Sequence, residues 1–304
     1  MTQQDILAQN STKTEKIKLL LSLGMTRKQV ATLMGVGYGF VQNVYAKMQP
    51  ATTTPLVLGL MPFERKFGVE IEAFSKGKTI KQLVIAIKNK GITCQNQNYN
   101  HTTAPSWKIV SDSSINADGV TFEIVSPILQ GEDGLIQTQK VCEVLKAFGA
   151  RINKSCGLHI HFDAQNFNLQ TWKNLLINYA NIENVIDKFM PESRRADNNR
   201  YCKSFKNDIE FIKKADNFDD IVDKMGIRYK KINTESYARH KTVEFRQHSG
   251  TIEFEKIKNW VLFLHNLTVA SERGIINGNS IEDLISINQP DIIAFYAERT
   301  EELN

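Results

Sequence analysis

Four short segments of the chain alternate apolar residues with ionisable ones. In FGVEIEAF, Val69 and Ile71 alternate with Glu70 and Glu72; in GLHIHF, Leu158, Ile160 and Phe162 alternate with His159 and His161. In TVEFRQH, Val243 and Phe245 alternate with Glu244 and Arg246, and TFEIVSP sets Glu123 between Phe122 and Ile124. Alternate residues of a strand share a face, so each segment would pack one face and present its ionisable groups on the other. Any half-exposed strand alternates in this way. A solvent face, however, usually draws on Lys, Thr, Ser and Gln, whereas these four strands present glutamates, two histidines and a Glu–Arg pair. Carboxylates with an imidazole are ligands for Mg²⁺ or Mn²⁺. A neighbouring arginine suits a phosphoryl group, and metal with arginine on one face is equipment for phosphoryl transfer.

Other chemistries fit less well. The HxH pair at His159 and His161 lacks the downstream glutamate of a cupin site, and there is neither an HExxH nor a GxxxxGK[ST] motif. Cys156 precedes His159 by three residues, which invites a Cys–His nucleophile, but a free thiol at a strand edge is the simpler reading. Cys94, Cys142, Cys156 and Cys202 are scattered without a CxxC pair, so neither a disulfide framework nor a zinc ribbon is expected.

The elements that must position these groups are mixed. Strands are expected over 66–74, 107–111, 121–125, 157–163 and 241–247, and helices over 79–90, 135–148, 169–189, 205–214 and 255–273. They do not alternate strictly, which favours an α+β fold with a mixed or antiparallel sheet. The polar, cationic segment 191–206 reads as a long loop over a site. The chain has 304 residues, 41% hydrophobic and 23% charged, an ordinary globular balance. It has no apolar run long enough for a transmembrane helix and no apolar signal-peptide core in its first residues, so a cytoplasmic protein is expected.

Charge separates a head from a body. Residues 1–50 carry Lys13, Lys16, Lys18, Arg27, Lys28 and Lys47 against Asp5 and Glu15, a net +4 of the chain's +5. Three helices are expected there. Ile17, Leu20 and Leu21 face inward from the first, Val30, Ala31 and Leu33 from the second, which starts at Thr26, and Val41, Val44 and Tyr45 from the third. The pattern resembles a helix-turn-helix module. On that reading Tyr38, Gln42 and Asn43 face the major groove and Arg27, Lys28 and Lys47 lie near phosphates of double-stranded DNA. A trihelical protein-docking module would have the same core. Residues 1–50 are read as this domain, 51–62 as a linker with prolines and threonines, and 63–304 as the body.

The motifs FGVEIE, WKIVSDSSI, FEIVSP, GLHIHF and TVEFRQHSGTIEFEKIKNWVLF occur in an order that resembles the amidoligase family, relatives of glutamine synthetase and glutamate–cysteine ligase. The resemblance covers most of 63–275 and not the head. It implies a curved, mostly antiparallel sheet binding ATP and Mg²⁺, with Mn²⁺ as a substitute. It also implies amide formation through an acyl phosphate, with ADP released. By matching position, Glu70, Glu72, Glu123, His159 and Glu244 look like metal ligands. His159 or His161 would touch metal or phosphate, and Arg246 would hold the transferring phosphoryl group. Glu70, Glu244 and Arg246 are taken to carry the reaction. Trp107, Lys108, Asp112 and Ser113 fall in a motif placed at the acceptor side, Lys108 being assigned to the nucleotide as well; Trp107 reads equally as a core aromatic. Gly250, between Ser249 and Thr251, lets backbone approach a ligand or simply turns the chain.

The expected substrate is a peptide, protein or amino compound. Arg194, Arg195 and Arg200 could receive an acidic substrate, although a solvated loop is the plainer account. The competing functions are a DNA-binding regulator with an idle, ligand-sensing ligase-like domain, and a scaffold that keeps only the fold; the intact glutamates favour the ligase. No membrane partner is expected, and an oligomer is compatible with the sequence.

Overall fold

A computed structural model describes residues 2–48, 62–98, 100 and 102–304; the side chains of 42, 43, 46 and 47 are outside the description, as is the expected linker except for its last residue. The chain divides into two compact units, 1–57 with 296–304, and 58–295. The last residues, read from sequence as part of the body, therefore group with the head.

In the head, α1 (Gln3–Ala8), α2 (Lys13–Ser22), α3 (Arg27–Met34) and α4 (Tyr38–Met48) follow one another. Thr12 and Thr26 start α2 and α3 through reciprocal capping boxes with Glu15 and Gln29. Gly35, at φ +60°, ends α3 in the left-handed conformation that glycine adopts without strain. Ile17, Leu20, Val30, Ala31, Val41 and Val44 form the core, joined by Ile6 from α1, a helix the sequence pattern did not mark. Leu21 and Leu33 pack only partly buried against it.

The body is mixed α and β. Its elements are β1 (Lys66–Ser75), α5 (Ile80–Asn89), β2 (Cys94–Asn96), β3 (Trp107–Val110), β4 (Val120–Val125), β5 (Leu129–Gln130), α6 (Gly131–Phe148), β6 (Leu158–Asp163), α7 (Leu169–Lys188), α8 (Ile209–Lys214), α9 (Phe218–Met225), β7 (Ile232–Asn233), α10 (Ser236–His240), β8 (Thr242–Phe245) and α11 (Phe254–Arg273). A last helix, α12 (Pro290–Leu303), begins in the body and belongs to the head from Tyr296 onward.

The strands form one sheet in the order β2-β3-β4-β1-β6-β8-β7, with β5 pairing β1. Every pairing is antiparallel except β2 with β3. The sheet is open and uncurled, running from β2 to β7, so the curved sheet implied by the resemblance is not what is found. Its four outer strands span only two to four residues.

One face of this sheet is mainly apolar. Val69 and Ile71 of β1, Ile124 of β4, Ile160 and Phe162 of β6 and Val243 and Phe245 of β8 are fully buried. Each such burial contributes roughly 1.5–3 kcal/mol. Tyr179 of α7 packs on Phe245 and His265 of α11 on Phe162, so these two long helices lie over the apolar face. Gly134 lets α6 close on the sheet, because a Cβ there would lie 2.8 Å from both Leu129 and the Phe67 ring. Gly250 serves the chain rather than a ligand: a Cβ would lie 2.5 Å from Cys156 Cβ, and its N–H donates to the Cys156 carbonyl at 2.8 Å.

The segment 191–206 is fastened down. Lys231, fully buried, pairs with Glu183 at 3.0 Å and Asp187 at 2.8 Å on α7. Ser204 donates to Glu183 at 2.9 Å, and Gln247 donates to Asp187 at 2.5 Å and to the Arg194 carbonyl at 3.1 Å.

His265 provides a pH test of the core. Burial depresses its imidazole from the ordinary 6.5 to about 4, against a weaker opposing hydrogen bond with Asn266. Above 6.5 both folded and unfolded chains hold it neutral and its contribution is complete. As pH falls toward 4 the unfolded chain takes up a proton that the folded chain refuses, and stability is lost. The expected loss from this residue between pH 7 and pH 5 is about 2 kcal/mol. Urea unfolding of wild type and His265→Phe at both pH values should show a loss smaller by that amount in the variant; equal losses would contradict the assignment.

Candidate active site

The opposite face of the sheet collects the ionisable residues, and the register explains why. Glu70 of β1 lies opposite His159 of β6, Glu72 opposite Glu123 of β4, and His161 opposite Glu244 of β8. Residues directly opposite in an antiparallel pair share a face. The period-2 pattern of four strands thus becomes one continuous patch. It floors a cavity of about 910 Å³ whose lining includes Arg246, Lys108, Arg194 and Arg228.

The contacts are dense. His159 Nδ1 is 3.1 Å from Glu70 Oε2 and 3.7 Å from Glu244 Oε1, while its Nε2 is 3.6 Å from Glu72 Oε1. His161 Nδ1 meets Thr242 Oγ1 at 3.0 Å, and its Nε2 lies 3.3 Å from Glu70 Oε1 without hydrogen-bond geometry. Glu72 accepts the Gly157 N–H at 2.6 Å. Glu244 accepts from Asn233 Nδ2 at 2.6 Å and from the Arg246 guanidinium. Arg246 Nε also reaches the Tyr201 carbonyl at 3.3 Å.

Three overlapping groups bring ligand atoms within 4.8 Å of one another: Glu70–His161–Glu244, Glu70–Glu123–His159 and Glu72–Asp112–Glu123. Glu70 and Glu123 each belong to two. Asp112 was not expected as a ligand. It follows β3, outside any alternation, and reaches the patch because β3 pairs with β4, Val110 lying opposite Glu123.

Repulsion among the carboxylates persists despite the cations beside them. Burial pushes the Glu123 carboxyl well above its ordinary value, and Glu70, Glu72, Asp112 and Glu244 push it further. Burial would also raise Glu70, but the charge of His161 and the hydrogen bond with His159 outweigh it and hold Glu70 well below the carboxylate range. Against the same burial cost, Arg246, His161 and His159 lower Glu244. Burial opposes charge on His161, yet Glu70 raises it. The donor set of carboxylate oxygens and imidazoles, with a buried His161 Nε2 lacking a hydrogen-bond partner, suits a hard divalent cation. A thiol plays no part: Cys156 is buried and its pKa is pushed up by that burial.

The remaining sequence-marked residues have definite places. Lys108 is buried and donates to Thr102 O at 2.7 Å and to Asn100 Oδ1 at 2.9 Å, while lining the cavity. Trp107 is buried and donates to Gln137 at 3.4 Å, as a core aromatic does. Ser113 lines the cavity. Arg195 donates to Met190 O at 2.8 Å, and Arg200 stacks on Tyr201.

In the head, Arg27 is buried and ion-paired with Glu298 at 3.0 Å and Glu302 at 2.8 Å, and Tyr38 donates to Glu302. Lys28 donates to the Glu301 carbonyl at 2.9 Å. These residues, read from sequence as facing DNA, hold the C-terminal segment. Gln42, Asn43 and Lys47 have side chains outside the described set.

A mostly antiparallel sheet with one acidic face, an arginine beside it and a large cavity above makes a candidate active site whose carboxylates and imidazoles are a donor set for metal. A family model described as "Putative amidoligase enzyme" matches residues 63–268, more than half of the chain. The chain belongs to this amidoligase family, which makes it a ligase-type enzyme. No curated protein matches the chain. Among the described residues no helix is long and apolar enough to cross a membrane.

The cluster should bind divalent metal and be stabilised by it. At a Mg²⁺ or Mn²⁺ concentration about a hundred times Kd, the gain is about 2.7 kcal/mol, read as a rise in Tm after chelator treatment. Glu70→Gln, which removes a charge from two groups at once, should abolish most of the rise. A wild-type Tm indifferent to both metals would contradict a metal-binding site.

Proposed function

We propose that the protein is an ATP- and Mg²⁺-dependent carboxylate–amine ligase that forms an amide bond through an acyl phosphate. The observation that carries this reading is the set of three overlapping carboxylate–histidine groups beside Arg246 on one face of the sheet. Glu70, Glu72, Asp112, Glu123, His159, His161 and Glu244 would hold the metal ions, which supply charge neutralisation for a polyphosphate. Arg246, fixed by Glu244 and the Tyr201 carbonyl, is placed to neutralise the phosphoryl group in transfer.

The reaction runs in two displacements. A carboxylate oxygen of the acid substrate attacks the γ-phosphorus of ATP, and the bond to ADP breaks. The amine then attacks the acyl carbon, phosphate leaves with the bonding pair, and the nitrogen loses a proton. The cavity volume of about 910 Å³ accommodates a nucleotide together with a small acid or peptide end. The substrate is proposed to be a peptide, protein or amino compound. For the head, the proposal of DNA contact rests on Gln42, Asn43 and Lys47, since Arg27 and Tyr38 are engaged by Glu298 and Glu302.

The test is nucleotide consumption with Mg²⁺ and a pool of amino acids, polyamines and short peptides. Wild type should release ADP only with the pool present. Glu244→Gln should lose at least about 100-fold, as removal of a group that stabilises transition-state charge does. Release of AMP in place of ADP would refute the acyl-phosphate route.

A further inference from the structure

Arg194 lies at the end of a single 3-10 turn, Glu192–Arg194, in the segment after α7. It is 4% exposed, yet it lines the cavity. Its Nη2 donates to the Cys156 carbonyl at 2.6 Å and its Nη1 lies 3.8 Å from Cys202 Sγ. Its buried Nε has no hydrogen-bond partner, and no carboxylate among the described residues pairs with it. Lys231 and Arg246, by contrast, have carboxylate partners, and Lys108, also buried at the cavity, donates to three oxygens of Asn100 and Thr102, whereas Arg194 Nε is left without a partner. A guanidinium held out of water without a counter-charge is costly, and such groups persist where an anion completes them.

Gly157 shows which end of the acidic face Arg194 adjoins. A Cβ there would lie 2.9 Å from His159 Nε2, 3.4 Å from Glu72 Oε2 and 3.5 Å from Arg194 Nη2. The Gly157 backbone therefore packs against all three, which sets Arg194 at the Glu72–His159 end of the acidic face. The same segment carries Tyr201, whose carbonyl fixes Arg246, so one fastened stretch of chain sets both guanidinium groups at the cavity.

We propose that Arg194 is an oxyanion-binding residue of the ligase site, holding a phosphoryl oxygen of ATP or of the acyl phosphate against the Glu72–His159 end of the acidic face. The inference rests on the ligase reading. A substrate carboxylate would present the same chemistry to Arg194, but the adjoining metal-capable ligands favour a phosphoryl oxygen.

The test compares full-length wild type, Arg194→Gln and Arg194→Lys by titration with ATP in Mg²⁺, by ADP release with the substrate pool, by Mn²⁺ binding and by Tm. ATP affinity should fall at least about 10-fold in Arg194→Gln and ADP release about 100-fold. Arg194→Lys should recover part of both, while Mn²⁺ binding stays at the wild-type level. Unchanged ATP affinity and turnover in Arg194→Gln would overturn the assignment. So would a lowered Tm in both variants with wild-type ATP affinity, which marks a purely structural arginine. Unchanged ATP affinity with a raised requirement for the pool would assign Arg194 to the substrate carboxylate and also overturn it. Wild type that binds no ATP would sink the ligase reading itself, a result separable from any confined to the variants.

Discussion

Four glutamates share one face of one sheet with Asp112 beside them, and their mutual repulsion is the constraint around which the site is organised. Burial makes each charge expensive and strengthens the repulsion between them. The protein supplies a partial answer in Arg246 and the two histidines. Glu123 shows the remainder: it is driven upward by burial and by four neighbouring carboxylates. On the proposed reading, metal cations complete the site and bring a polyphosphate with them.

Holding such a patch together falls to the other face. The apolar partners of the same strands, Val69, Ile71, Ile160, Phe162, Val243 and Phe245, are sealed under α7 and α11. The period of two that buries them is the period that presents the acids. A second layer of positioning comes from the buried polar network of Lys231, Glu183, Asp187 and Gln247, which fastens the segment carrying Arg194 and Tyr201. Removal of one partner would strand a charge in the interior, a cost of several kcal/mol.

Much of this was legible in the sequence because alternation on a strand is a local signal. Glu70, Glu72, Glu123, His159, His161 and Glu244 were separable from their core neighbours, and antiparallel pairing then joined them. Asp112 was not legible as a ligand, because its approach depends on β3 pairing with β4. Arg194 was ambiguous for a similar reason: a cationic loop resembles any solvated loop until Gln247 and Cys156 are seen to hold it. Short helices such as α9 and α10 give too few turns for a periodic signal. The grouping of residues 296–304 with the head depends on contacts such as Arg27 with Glu298, separated by most of the chain.

The central claim is that the acidic face holds several divalent cations around a nucleotide. Anomalous diffraction from crystals grown with Mn²⁺ and ADP measures it directly. The account predicts at least two Mn²⁺ peaks bonded to Glu70, Glu123 and their partners, with ADP phosphate oxygens completing the coordination near Arg246. Crystals with nucleotide absent from the cavity and no anomalous density at these side chains would contradict it.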